Sequence, residues 1–539
     1  ANLYLDSLNV MGSEIEPNRV ECLNELETAI DPLTEFYCST QQARDDHPDL
    51  CGVLVTLKCN VMRKQAEAYH NNEQFKRAAA QYVRIFRRHQ ECAEEANFAM
   101  DEVLYNAAID FEAARLLGRA IQVRNVLIEQ FPESQYSKRA IYLVGANFHA
   151  LAFYEQAAGY YERFARQFPG ENGEDCSEAE RANGSCAIAH EALQQAVFFR
   201  IGLGDTEEAV ADATLFERSY KRSLPRQTSQ VVFAVGSIYE RSENWTQVVR
   251  HYRKFLADYR RQGLPHQLLR ANVLMGTAHR ELEQERDSMR YYRAAIALWD
   301  RTPAAINELE DVSDTDKILY IKEALDSTAE ALFYLAEEKY REFRAIRFPR
   351  YSGGRNMARV NAWAQGDFAE WVTEKSGALR AAENEYNAVA ALEVVVRQGV
   401  PALNSPPWQI AAAARVGQMY RTFVDDFRDA PIPSEIENDD ELYSIYVDAL
   451  EGQANPLQAQ AVSKFEFCLR TATNVRWFNE WSTTCEQELN GLDAARYPIA
   501  AELRGAPNYV RGSIGRPGPV ELVMASEADE ELAAAEGGE

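Results

Sequence analysis

Long apolar runs are missing from this 539-residue sequence. No stretch approaches the roughly 18 apolar residues a membrane-crossing helix needs, so no direct membrane span is expected. Histidine is scarce, at eight scattered residues. There is no Walker A loop, GxGxxG, HExxH or GxSxG, the spacings that position phosphates, dinucleotides, zinc or a serine nucleophile. No CxxC occurs, which argues against a zinc site among the nine cysteines. Cations are also short: 57 Lys and Arg against 83 Asp and Glu give a net charge of −26, which repels nucleic acid and anionic lipid. The weaker candidates have plainer readings. Gly202–Leu203–Gly204 reads as a turn between helices. Asp45, Asp46, His47 and Asp49 are too crowded in sequence to converge on one ion. Asp311, Asp314 and Asp316 lack the glycine and terminal Glu of a calcium loop. Asp425–Asp426 and Asp439–Asp440 have no specificity as acid/base pairs. Asn183 and Asn244 open glycosylation sequons. No catalytic, cofactor or metal residue is therefore assigned, and the chain is expected not to be an enzyme.

What is present is a folded composition, 46% hydrophobic and 26% charged, with a recurring pattern. Ile141 to Pro169 places Gly145, Phe148, Ala157, Tyr161, Phe164 and Pro169 in the order small, aromatic, small, aromatic, apolar, proline. Two helices that cross closely need small residues where their backbones approach, and large rings fill the gaps beside the crossing. Proline then stops the second helix. The order recurs at Ala66, Tyr69, Ala78, Tyr82 and Ile85. It returns at Ala108, Phe111, Ala120, Leu127 and Pro132, with Arg124 in place of the second aromatic. It appears again at Gly236, Tyr239, Val248, Tyr252 and Phe255, and at Gly276, His279, Ser288, Tyr292 and Ala295. A weaker unit between His190 and Lys221 rests on Ala209 and Phe216. The spacings exceed 34 residues, the surplus being assigned to loops.

These residues resemble the tetratricopeptide repeat, a helix–turn–helix of about 34 residues. The resemblance implies an all-α fold: a right-handed superhelical solenoid of tetratricopeptide-like hairpins with loop insertions and an extended C-terminal tail. Residues 1–58 read as a Cys-rich cap, with Cys38 to Gly52 of loop composition. Residues 59–306 hold the repeats, and 307–496 read as divergent hairpins. Within them Ile318 to Arg347 and Trp363 to Val396 are expected helical. Gly417 and Tyr420 fall at first-helix spacing, and Ala461, Phe465 and Cys468 look like their second helix, delayed by an acidic insertion. Residues 497–539 read as an extended segment and acidic tail.

Cys176 and Cys186 lie in a polar insertion with nothing apolar to bury a thiol, and Cys468 and Cys485 flank a helix junction. Both are disulfide candidates, which suits an oxidising compartment. The odd count leaves at least one unpaired, or paired between chains, and Cys92 is the expected one. Connectivity among Cys22, Cys38, Cys51, Cys59 and Cys92 is left open. The first-helix face of such hairpins commonly accepts an extended peptide or a partner's helix. Asn106, Asn147, His149 and Arg280 are candidates on it, Asn147 for bonding a peptide backbone from both sides. Arg341, Arg344, Arg347, Arg350, Arg355 and Arg359 form a basic run, read either as salt bridges or as a docking site for an acidic segment.

A second likeness lies in Lys464 to Pro507, carried by Cys468, Trp477–Phe478–Asn479–Glu480–Trp481, Cys485, Arg496–Tyr497–Pro498 and Glu502–Leu503. Phe343 to Gly354 adds to it. These stretches resemble large periplasmic tetratricopeptide proteins of myxobacteria, including components of gliding-motility and envelope-trafficking machinery. The resemblance implies a structural, non-enzymatic scaffold in the periplasm of a diderm bacterium, whose partners are other proteins. A start at Ala1 suits a mature exported chain. The alternatives are an outer-membrane biogenesis or cargo-binding factor associated with the outer membrane, and a regulator or enzyme built on the solenoid.

Overall fold

The computed structural model describes residues 20–182, 185–351, 357–397 and 401–499. They fold almost wholly into α-helices, grouped in two compact units divided at Ser223 and Leu224.

In the first unit, α1 (Val20–Cys38) packs on α2 (Pro48–Asn71), which pairs with α3 (Phe75–Arg88). Three further hairpins follow: α4 (Met100–Ala113) with α5 (Leu117–Gln130), α6 (Gln135–Ala150) with α7 (Tyr154–Gln167), and α8 (Ala189–Leu203) with α9 (Thr206–Tyr220). Within this unit, α3 packs against α4, α5 against α6 and α7 against α8 as well. The second unit begins the same way, with α10 (Pro225–Arg241) against α11 (Trp245–Asp258), then α12 (Pro265–Glu281) against α13 (Glu285–Trp299). The weakly patterned 190–221 unit forms a complete hairpin, with Ala209 and Phe216 fully buried.

The turn inside each of these six hairpins is built alike. One residue takes left-handed backbone geometry: Glu73, Arg115, Ala152, Gly204, Glu243 and Glu283, with φ of 60°, 63°, 60°, 85°, 52° and 58°. The N–H of the next residue reaches back to the carbonyl of Tyr69, Phe111, Phe148, Arg200, Tyr239 or His279, at 2.8–2.9 Å. This six-to-one closure satisfies carbonyls that the helix end would otherwise orphan. The aromatic position of the repeat thus marks the last turn of the first helix. Only Gly204 has the residue type that left-handed geometry favours.

Small residues sit where the pattern requires them. A Cβ built on Gly145 would meet the Tyr161 ring at 2.9 Å, and one on Gly276 the Tyr292 ring at 2.6 Å. In these two hairpins the contact therefore has no room for a side chain on the first helix.

Past Asn307 the pattern loosens but the principle holds. A long helix α14 (Asp314–Ala345) packs on α15 (Ala369–Ala390) and α16 (Pro406–Arg428), followed by α17 (Asp440–Val475) and α18 (Glu480–Leu492). Ser313 caps α14 by accepting the Asp316 N–H. A Cβ on Gly417 would lie 2.5 Å from Phe465, so α16 and α17 repeat the hairpin contact. Ala461, Phe465 and Cys468 are fully buried, as a delayed second helix requires.

Several expectations need correction. Cys38 to Gly52 is not a loop: Gln41–Asp46 is helical, capped by Thr40, and α2 starts at Pro48, which supplies a preset φ at the first turn. The acidic insertion after α16 is largely the first part of α17. Helix does not run to Val396 but stops at Ala390, where Glu393–Val394 pairs antiparallel with Leu403–Asn404. A π-helical turn, Ala364–Phe368, precedes α15. The proposed unpaired thiol is also wrong. Cys92 is fully buried and bonded to Cys59, which ties α2 to the short helix Glu91–Glu95. Cys38–Cys51, Cys176–Cys186 and Cys468–Cys485 complete four disulfides, and Cys22 is the free thiol. Crosslinks of this number persist in oxidising, exported compartments. Among the described residues no helix is long and apolar enough to cross a membrane. Of the extended segment and acidic tail expected over 497–539, all after Ile499 lies outside the described residues, and Asn183 is outside them too.

Candidate protein-interaction surface

The first-helix residues that could face a partner are partly used inside the protein. Arg124, standing where the repeat has an aromatic, is 1% exposed. A bare guanidinium there would cost several kcal/mol, on the order of the effective burial penalty of an ion. Glu112 pairs with it, and the Asn147 amide lies between them, its nitrogen 2.9 Å from Glu112 and its oxygen accepting from Arg124. Asn147 is 2% exposed, so the peptide-bonding role read from sequence is corrected to an internal one. An arginine in an aromatic slot must find polar company, and Glu112 and Asn147 provide it.

The remaining candidates do not converge on one site. Asn106 is half-buried on α4, and His149 is exposed at the end of α6. His149 stands against Phe199 of α8 with ring centres 4.7 Å apart, and Tyr154 touches the same ring at 5.0 Å. Arg280, in the second unit, lays its guanidinium 3.8 Å over the Tyr334 ring and contacts Glu281 at 2.8 Å. That stacking holds α12 to α14, so Arg280 is a packing residue with one exposed edge.

Other buried polar contacts join successive hairpins. His70 of α2 sits 2.6 Å from buried Asp110 of α4. Burial pushes the Asp110 carboxyl up, and the hydrogen bond from His70 opposes this. Arg200 of α8 contacts Glu162 of α7 at 2.7 Å and Asp205 at 3.1 Å, while Arg166 of α7 reaches Asp212 of α9 at 2.7 Å. Asp212 is fully buried, and burial with the nearby Glu162 raises its carboxyl to about 7. In the second unit, Glu337 of α14 accepts from Tyr386 at 2.7 Å and Arg415 at 2.7 Å. Arg415 in turn stacks between Tyr340 and Trp481.

The basic run divides in the same way. Arg341 is paired with Glu285 of α13, as the salt-bridge reading holds. Arg344 lies over its neighbour Tyr340 at 5.8 Å. Arg347 and Arg350 are exposed and make no ion pair among the described residues. Arg355 lies outside them. The segment that presents these arginines is anchored by Phe348, whose ring packs against Trp363, Phe368 and Trp371 at 6.3, 5.8 and 4.8 Å. Buried Lys375 fastens it further, donating to the Ile346 carbonyl at 2.9 Å while pairing with Asp426 at 2.9 Å.

Sequence reading missed one exposed feature. Trp477 and Phe478, 50% and 68% exposed, project from the turn between α17 and α18. That turn is rigid: Arg476 is left-handed, Asn479 and Ser482 form a capping box, and Cys468–Cys485 lies beneath. The adjacent Trp–Phe pair was the available signal.

No protein-family profile and no curated protein matches the chain. Among solved structures it is similar to BtubC (BKLC) from P. vanneervenii, at 12% identity, covering 54% of this chain and 94% of that one with a TM-score of 0.18. It is similar to a tetratricopeptide repeat protein from Parabacteroides merdae at 12% identity, covering 57% and 98%, with a TM-score of 0.19. A third likeness is to Naa15/Naa10 bound to HypK-THB, at 11% identity over 81% and 58%, with a TM-score of 0.28. Scores this low leave the tetratricopeptide-like, all-α repeat fold resting on the hairpins themselves.

Proposed function

We propose that this chain is a non-enzymatic scaffold that holds together a multi-protein envelope complex, such as a gliding-motility machine, in the periplasm of a diderm bacterium. The observation that carries the reading is the repeated hairpin, whose first helices contact their neighbours through glycine-on-ring packing and internal ion pairs. Stacked units of this kind work by presenting surface to other proteins. The four disulfides support export, and the stretches Phe343 to Gly354 and Lys464 to Pro507 support the envelope setting by their likeness to myxobacterial periplasmic proteins. Arg347 and Arg350 supply a docking surface for an acidic segment, held in place by Phe348 and Lys375.

The test is crosslinking and affinity capture from the native envelope, compared between the wild type and R347E/R350E. Co-captured envelope proteins, reduced in the variant, are expected. Recovery of the wild type only from the cytoplasm with reduced thiols would overturn the compartment. Turnover in a broad hydrolase screen, lost on changing a single acidic residue, would overturn the non-enzymatic reading.

A further inference from the structure

Two stretches of the second unit have opposite charge and are rooted at one place. From Phe343 to Gly366 the sequence has five arginines and no acidic residue. From Asp429 to Ser463 it has eight acidic residues and no basic one. Lys375 bonds the Ile346 carbonyl at the start of the first and Asp426 just before the second, both at 2.9 Å. Phe368 likewise touches both Phe348, at 5.8 Å, and Phe427, at 6.2 Å.

The acidic stretch ends in an arm. Arg428, the last residue of α16, pairs with Glu451 of α17 at 2.9 Å. Towards its N-terminus from there, α17 runs on past the end of α16 for roughly 16 Å, at about 1.5 Å per residue. Along this arm Leu442, Tyr446, Val447 and Leu450 are half-buried, Tyr446 donating to the Pro431 carbonyl and Leu450 packing on the core. Tyr443 and Ile445 are left 42% and 58% exposed. An exposed apolar pair flanked by acidic residues is a surface that a partner can cover. Asp440, Glu441 and Asp448 make no ion pair among the described residues, and neither do Arg347 and Arg350.

We propose that two copies of this chain associate about a two-fold axis, the apolar, acidic arm of each (440–450) lying on the arginine segment (344–351) of the other. Charge complementarity selects the occupant: the arm needs a cationic surface, and the segment needs an anionic one. Their common root selects the symmetry. With both leaving the C-terminal ends of α14 and α16, which Lys375 holds together, one two-fold operation makes the arm-to-arginine contact twice and closes the assembly. Tyr443 and Ile445 supply the apolar centre and the charges the rim, the usual anatomy of a protein interface. The proposal rests on the docking role given above to Arg347 and Arg350, and identifies what docks there as a second copy.

Sedimentation velocity on the purified full chain tests it without any envelope partner. The wild type is expected to dimerise in the micromolar range, more weakly as salt rises. R347E/R350E and D440K/E441K are each expected to weaken dimerisation about tenfold or more, a typical consequence of apposed like charges. Mixed in equal amounts, the two variants should recover the dimer, because each arm then meets an opposite charge. All four positions are at the surface, and circular dichroism melts are the control that the variants fold. A wild type that stays monomeric, variants that dimerise as well as it does, or a mixture that fails to recover would overturn the proposal. If the monomeric chain instead binds a labelled deca-glutamate peptide, and R347E/R350E does not, the occupant is a foreign acidic segment and the scaffold reading survives alone. If neither binding nor dimer is seen, the docking role of the arginines falls as well.

Discussion

Gly417 faces the ring of Phe465 so closely that a Cβ on the glycine would stand 2.5 Å from it. The same contact joins Gly276 to Tyr292 and Gly145 to Tyr161, although there the partner follows within sixteen positions. Valine at Gly417 or Gly276 is expected to cost about 1–3 kcal/mol through overpacking, read as a lower denaturant midpoint. Gly377 is the control. It is exposed on α15 with no atom within 4 Å of an added Cβ, so Gly377→Ala should gain about 0.5–1 kcal/mol.

Reduction should lower the melting temperature. Of the single crosslinks, Cys59–Cys92 closes a span of 33 residues and Cys176–Cys186 one of 10. Chain entropy then assigns about 4 kcal/mol to the first and about 2.5 kcal/mol to the second. Nonreducing peptide mapping should find Cys22 alone alkylated. Nine free thiols would falsify this.

Asp212 makes the first unit sensitive to pH. Its carboxyl is raised to about 7 by burial and by Glu162, against an ordinary value near 4 in the unfolded chain. The folded state therefore binds the proton more tightly. That stability is complete below about pH 4 and is lost as pH rises through about 7. Arg166 and Glu162 face the group from α7, and Arg200 of α8 pairs with that same Glu162. Asp212→Asn keeps an acceptor for Arg166 without the charge. Denaturation between pH 4 and 8 should show the wild type losing stability relative to this variant, and parallel profiles would refute the assignment.

Asn479 caps α18, accepting the N–H groups of Trp481 and Ser482 at 3.1 and 3.2 Å. Asn479→Ala should cost about 1 kcal/mol and Asn479→Asp little. Tryptophan fluorescence should report the same loss, because Trp477 sits on the turn that the cap fixes.

The hairpins were legible because close helix crossings demand small residues at fixed spacing, and Gly145, Gly236 and Gly276 supply them. Even the delayed partner of Gly417 could be found, since Phe465 and Cys468 keep their own spacing. Sequence failed where distance or company decided. Cys59 and Cys92 lie on separate helices, and only the fold shows that they meet. Cys38 to Gly52 is polar enough to read as a loop, yet Thr40 and Pro48 start helices there. Asn147 turns inward because Arg124, a neighbour in space and not in sequence, requires it.

The position of the added chain within the α16–α17 hairpin sets an order of assembly. In the other hairpins the second helix begins three or four residues after the first ends. A chain emerging from its N-terminus completes α16, with Phe423 already packed on Phe343 and Trp371, long before the Phe465 ring that covers Gly417 exists. The side of α16 that Gly417 marks stays without its partner through the making of the whole acidic stretch. A holdase acting on this protein during synthesis or export would find its target there, and a truncation ending between Arg428 and Lys464 would leave that target permanently open.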